Sequence, residues 1–242
     1  MDGLDIKYED SEIILVIKPA GVATESRRIG EKDMLSMVKT YRVERGESNY
    51  VAMLHRLDQP VGGLLLFAKT KEAAAKLSKQ IQNGTVEKYY KALLCGRIEE
   101  EGELTDYLLR DGKTNISRVV GKETPGAKKA SLMFRRLKVF SREPDALFEK
   151  GSFPQENSQS GKENTSEKNQ ISLVEIKLAT GRHHQIRVQM ANHGFPLLGD
   201  RKYAVLKRCD VQLALFAWRL KFRHPKTGKW MDFTEEPSWK LE

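Results

Sequence analysis

His55, Arg56 and Asp58 stand within four positions of the stretch HRLDQPVGGLLLFAKT, directly before a diglycine and an apolar run. A carboxylate held among cations stays ionised at neutral pH, which makes it a competent nucleophile. The run Leu64-Leu65-Leu66-Phe67 would give it a rigid strand to stand on, and Gly62 and Gly63, lacking side chains, would let a substrate backbone come close. The plainer alternative is a turn aspartate with solvated basic neighbours. A second stretch, ATGRHHQIRVQMANHGFPLLGDRKY, packs Arg182, His183, His184, Gln185 and Arg187 into six positions. Forked guanidiniums at a strand-to-helix turn suit carboxylate or phosphate recognition. Metal binding is the rival reading, but adjacent His183 and His184 point in different directions and no H-x-x-x-H or acidic third ligand follows. A third stretch, EKYYKALLCG, places Tyr90 either as a surface on which a base could stack or as a core aromatic.

These residues need elements to position them. Ile13 to Ile17 reads as a short strand stopped by Pro19 and Gly21. Residues 33–43 read as a helix, and 71–84 as a clearer one, with Ala73, Ala74, Leu77 and Ile81 in an apolar stripe and Asn83-Gly84 as its stop. TVEKYYKALLCGRI reads as a strand, leading to a turn rich in Glu and Gly. ISLVEIKLAT alternates, with Val174, Ile176 and Leu178 on one face and Glu175 and Lys177 on the other. It feeds the histidine-arginine cluster, where His184, Arg187, Val188 and Ala191 would share a helix face. Residues 211–234 read as two strands joined by HPKTGK. The segment 150–170 is Ser, Asn, Gln, Lys and Glu with one Phe, and reads as a flexible polar insertion at a hairpin tip. Strands come in runs rather than in βα alternation, which predicts an α+β fold with a mixed, mostly antiparallel sheet. No G-x-G-x-x-G or Walker A run points to a dinucleotide or nucleotide fold.

With 242 residues the chain can bury a substantial core, and its 42 Lys and Arg against 33 Asp and Glu give a net charge of +9. That balance favours a polyanionic partner, nucleic acid before a membrane surface. The two cysteines, Cys95 and Cys209, form no disulfide or zinc pattern and are expected as buried thiols of a reducing compartment. MDGLDIKYED is no signal peptide, and no apolar stretch approaches the ~20 residues of a membrane span.

Taken together, HRLDQPVGGLLLFAKT, EKYYKALLCG and TGRHHQIRVQMANHGFPLLGDRKY resemble, in order and spacing, the signature regions of RluA-type RNA pseudouridine synthases of the RluA/RsuA family. The resemblance runs from the Pro19-Ala20-Gly21 turn to FRHPKTGKWMDF. It implies a pseudouridine synthase-like fold, a curved sheet with flanking helices and a central active-site cleft, formed by one catalytic domain over residues 1–242 without the small N-terminal S4-like RNA-binding domain of many members. It also implies a cofactor-free, metal-free isomerase that converts selected uridines of structured RNA, ribosomal or transfer, to pseudouridine. Asp58 matches the family's catalytic aspartate, Arg187 the basic residue that pairs with it, and Tyr90 the aromatic that stacks on the base. Arg56 matches the arginine that helps extrude the nucleotide, and Ile186 an apolar pocket wall. His55, Arg182, His184 and Gln185 join them as candidate substrate contacts. Two departures stand beside the motifs: Val61-Gly62 replaces Thr-Ser or a close variant, and Gln189 replaces a histidine. A cytoplasmic, monomeric enzyme acting on RNA is the resulting expectation. A non-catalytic RNA-binding module and a metal-dependent hydrolase are the competing ones.

Overall fold

A computed structural model describes residues 3–26, 28, 30–141, 170–204 and 212–239. Its contacts divide the chain into two compact units, residues 1–89 with 216–237, and 90–215 with 238–242.

In the first unit, strands β1 (Ile6–Glu9), β2 (Ile13–Lys18), β3 (Ala52–Met53) and β4 (Gly62–Ala68) are joined late in the chain by β10 (Leu215–Arg223) and β11 (Trp230–Thr234). Every residue of β4 is buried, as expected of a strand with neighbours on both edges and cover on both faces. Antiparallel β2 lies along one edge, from Ile13 opposite Ala68 to Lys18 opposite Gly63. The other edge is shared: β10 pairs with it in parallel at Gly62 and Gly63, and β3 antiparallel at Phe67 and Ala68.

The two glycines owe their place to this junction rather than to an approaching substrate. A Cβ on Gly63 would lie 2.3 Å from the Ala217 carbonyl oxygen, and one on Gly62 would lie 3.1 Å from the Phe216 ring. Gly63 also holds φ +119°, a conformation L side chains rarely adopt. The diglycine therefore lets β10 close onto β4.

Helix α1 (Met34–Glu44) starts at Asp33, which accepts the Ser36 amide while Ser36 Oγ accepts the Asp33 amide. Helix α2 (Lys71–Gln82) is capped by Thr70 and turns its Ala73 and Leu77 onto Ile13, Leu15, Leu64, Leu66 and Phe222. The turn between β10 and β11 closes through His224 N to Lys229 O, with Gly228 at φ +69°.

The second unit contains β5 (Glu87–Cys95) from Tyr90 onward, β6 (Glu101–Asp111), β7 (Ile116–Val120), β8 (Lys128–Ser141), β9 (Gln170–Leu178) and helix α3 (Gln185–Asn192). The strand order is β5-β9-β8-β6-β7, and the pairs β8–β9, β6–β8 and β6–β7 are antiparallel. The β6–β7 part went unread in the sequence, where a turn was expected, whereas β8 stands where a strand was expected to lead into the polar insertion. Only Leu108 is buried along β6, so its sequence shows little apolar contrast.

β8 and β9 pair out to Ser141 opposite Gln170, and a register shift falls between Arg136 and Lys138. The polar insertion between these strands lies, up to residue 169, outside the described residues, as does Cys209. Cys95 is half-buried, not buried as expected. No described helix is long and apolar enough to cross a membrane.

Candidate active site

The first unit supplies His55, Arg56 and Asp58. Asp58 begins a turn closed by Val61 N donating to Asp58 O at 2.9 Å. This turn is laced to the segment after β2. Gly21 N donates to Gln59 O at 2.8 Å, and Gln59 Nε2 returns a bond to Gly21 O at 3.0 Å. Thr24 Oγ1 donates to Leu57 O at 2.9 Å and accepts from Leu57 N at 3.1 Å.

Beneath the turn lies a residue that sequence reading passed over. Lys18 is fully buried, and its Nζ donates to the carbonyls of Pro19, Val22 and Gln59. Burial lowers its pKa to about 8, against the opposing pull of the Asp58 carboxylate. A strand-end lysine reads as solvated by default. The only local signal was its place between an apolar run and Pro19.

His55 faces back into the unit. Its Nε2 accepts the Leu66 amide at 3.2 Å, which assigns the ring proton of the neutral imidazole to Nδ1. Burial, and then the Lys88 ammonium, push its pKa down to about 3, so it is uncharged at neutral pH. Arg56 is exposed, and its NH2 meets Glu25 Oε2 at 2.9 Å. The three ionisable groups thus have three environments: a neutral ring supporting β4, a surface guanidinium, and a carboxylate within the field of a buried ammonium.

The second unit supplies Tyr90 and the α3 cluster. Tyr90 is buried on β5, at 7% exposure. The helix is buried from Gln185 through Met190, so it has no single apolar face of the kind expected for His184, Arg187, Val188 and Ala191. His184 is its N-cap rather than part of that face, and holds left-handed φ +53°. Such a backbone costs roughly 1 kcal/mol or more in a residue other than glycine and persists only where the surroundings impose it. Here its Nδ1 meets Tyr203 Oη at 2.8 Å, and its ring stacks on His183 with centroids 3.7 Å apart. His183 Nδ1 meets Ser117 Oγ at 2.9 Å. Burial and then neighbouring cations lower the pKa of His183 to about 4 and of His184 to about 2.

Arg187 donates from Nε and NH2 to the two oxygens of Asp200, both at 2.8 Å, and its guanidinium lies 5.3 Å from the Tyr203 ring centre. Asp200 also accepts the Lys202 and Tyr203 amides. Asp200, Tyr203 and Ser117 were not singled out in the sequence. The GDRKY stretch carried the first two without any pattern to say that they would meet α3.

Gln185 holds the loop together: its Oε1 accepts from Thr180 Oγ1 at 2.8 Å and Arg182 N at 2.9 Å, and its Nε2 donates to Ser131 O at 3.1 Å. Exposed Arg182 donates from Nε to Lys129 O at 3.0 Å. Ile186 is buried at 4% exposure. Gln189, one of the two departures, donates to Asp106 Oδ2 at 2.7 Å and so ties α3 to β6. Among the described residues, no group of three His, Cys, Asp or Glu side chains could hold a metal ion.

Residues 12–192 match the family described as RNA pseudouridylate synthase. The chain is 33% identical over 235 residues to tRNA pseudouridine synthase C of Haemophilus ducreyi, covering 93% of this chain and 87% of that protein. It is 31% identical over 228 residues to the Bacillus subtilis protein named Uncharacterized RNA pseudouridine synthase YhcT, covering 93% of this chain and 66% of that one. Among solved structures, Human RNA Pseudouridylate Synthase Domain Containing 1 superposes with a TM-score of 0.73 at 21% identity, over 98% of this chain and 84% of that one, a likeness of fold.

Proposed function

Since the chain belongs to the RNA pseudouridylate synthase family, and is therefore an RNA-modifying isomerase with an α+β pseudouridine synthase fold, we propose that Asp58 is its catalytic carboxylate. The observation that carries this reading is the seat of Asp58. It begins a turn cross-braced to the Pro19–Thr24 segment, and it is the acidic group acting on the buried ammonium of Lys18. An opposite charge nearby favours the ionised carboxylate, the form that can act as a nucleophile.

The reaction breaks the bond from N1 of the uracil to C1′ of the ribose, turns the base, and joins C5 to C1′. The proton lost from C5 is balanced by one gained at N1. The target nucleotide must leave the stack for this and remain confined while detached. Covalent addition of the carboxylate to base or sugar would divide the change into two easier steps. Tyr90 takes the role of the stacking aromatic, a contact worth about 1–3 kcal/mol per base. Arg187 is the active-site cation, Ile186 an apolar wall of the uridine pocket, and Arg56 the residue that helps the nucleotide out. His55, Arg182, His184 and Gln185 complete the substrate-binding set, with His55 and Gln185 acting through the backbone they hold. The two units work as one cofactor-free, metal-free catalytic domain, monomeric and cytoplasmic, on transfer or ribosomal RNA.

Asp58→Asn is the decisive variant, because it keeps the shape and removes the charge. It should fold and bind RNA as before while forming no pseudouridine from bulk transfer and ribosomal RNA. Product above the no-enzyme background would remove Asp58 from the role.

A further inference from the structure

The second unit carries a pair of cations for which the proposed chemistry has no use. Arg110 stands near the end of β6 and Lys202 in the turn that follows Asp200, far apart in the chain, yet both fasten on Asn115 at the tip of the β6–β7 hairpin. Arg110 NH2 donates to Asn115 Oδ1 at 2.8 Å, and Lys202 Nζ donates to Asn115 O at 3.1 Å. Asn115 adopts φ +53°, the left-handed conformation that Asn tolerates better than most residues.

Both cations are exposed, and among the described residues neither forms an ion pair. The nearby acids are engaged elsewhere. Asp111 accepts the Lys113 and Thr114 amides of its own hairpin tip, and Asp200 is committed to Arg187 and two backbone amides.

His183 meets the same hairpin, since its Nδ1 lies 2.9 Å from Ser117 Oγ and Ser117 stands opposite Arg110 in the β6–β7 register. Burial first, and then Arg110, Lys202 and Arg187, disfavour its protonation. It is half-buried and stays neutral, with Nδ1 on Ser117 and its ring held against His184. Its remaining ring nitrogen, Nε2, is a polar group carrying no charge of its own. Two like charges tethered to one asparagine repel each other, and a shared anion would relieve that repulsion. A phosphodiester fits, because it takes a guanidinium, an ammonium and a neutral hydrogen-bonding group at once.

We propose that Arg110, Lys202 and His183 form a subsite for one backbone phosphodiester of the RNA substrate. This deepens the reading given above and rests on it for the identity of the ligand.

The test is binding of a fluorescent stem–loop RNA with a uridine-rich loop, measured by anisotropy across a potassium chloride series. Removing the two cations that neutralise this one phosphate with Arg110→Gln/Lys202→Gln should flatten the slope of log affinity against log salt by about 0.7–0.9. His183→Ala should weaken binding several-fold at every salt concentration and leave the slope unchanged, since a neutral contact releases no counterion. Lys39→Gln, on α1, should leave both unchanged. In turnover, the double variant should raise KM several-fold at unaltered kcat.

An unchanged slope in the double variant, or an equal flattening by Lys39→Gln, would overturn the subsite while leaving Asp58 chemistry intact. Unweakened binding by His183→Ala would remove the histidine from it. Failure of the unaltered protein to bind the stem–loop at all would overturn the RNA reading itself, and the subsite with it.

Discussion

Arg187 and Asp200 face each other through two parallel hydrogen bonds of 2.8 Å, with the arginine side chain 5% exposed and the aspartate side chain fully buried. The bidentate fork fixes the plane of the guanidinium, and the stack over Tyr203 fixes it from the side. Removing one partner of a buried pair leaves an uncompensated charge, typically at a cost of about 3–5 kcal/mol. Asp200→Ala should therefore lose about that much stability in urea unfolding at pH 7. A loss below about 1 kcal/mol would mean that Arg187 is oriented by other groups.

Gly63→Ala is expected to be among the most damaging small substitutions in the first unit. The added methyl would sit 2.3 Å from Ala217 O and 2.6 Å from Ala217 N, both backbone atoms of the paired strand, at a φ of +119°. Neither the strand nor the dihedral can yield cheaply. The variant should lose more than about 3 kcal/mol, a magnitude in line with overpacking plus backbone strain. Near-normal thermal unfolding would show that β10 does not need this approach.

Three imidazoles make stability depend on pH in a known direction. His55, His183 and His184 have native pKa values near 3, 4 and 2, against 6.5 for the ordinary group. Between those limits the unfolded chain binds protons that the native protein does not, so stability rises with pH in this window. Their contribution is full above about pH 6.5 and is progressively lost as pH falls towards 4. Each group accounts for at most about 1.4 kcal/mol per pH unit. Urea unfolding at pH 7 and pH 5 should show the lower stability at pH 5, and His55→Gln should reduce the difference. Equal stability at both values would contradict neutral, buried rings.

The parts of this fold legible in the sequence are those whose signals are local. β2 and β4 announce themselves as apolar runs, and α2 by its stripe from Ala73 to Ile81 with Asn83-Gly84 behind it. The β10–β11 hairpin is marked by Pro225 and Gly228. β6 and β7 were not legible because most of their residues are exposed or half-buried, leaving little contrast to read. The site divides in the same way. HRLD and HHQIR stand out as clusters of ionisable types, whereas Lys18 becomes unusual only when two loops fold over it. Asp200, Tyr203 and Ser117 gain meaning only from β7 and the 200–204 turn meeting α3. The diglycine was legible as a need for close approach, but the partner was a strand of the same unit.

Lys18 gives the sharpest link between fold and proposed chemistry. Its ammonium satisfies three carbonyls that belong to the two braced loops, and it lies in the field of Asp58. Lys18→Met keeps most of the volume but removes the ammonium from the Pro19 and Val22 carbonyls, while Gln59 O keeps the Gly21 amide, at about 1–3 kcal/mol for each buried group left unsatisfied. The expected outcome is a clear loss of stability together with a fall in kcat, since the turn bearing Asp58 loses its brace. The pH profile separates this from a general weakening of the fold. The native pKa near 8 means that the ammonium discharges as pH rises through that value, so turnover should decline above about pH 8 in the unaltered protein. That alkaline limb should disappear from the residual activity of Lys18→Met, which has no group left to titrate there. An unchanged limb in the variant would assign the titration to another residue and leave Lys18 a purely structural role.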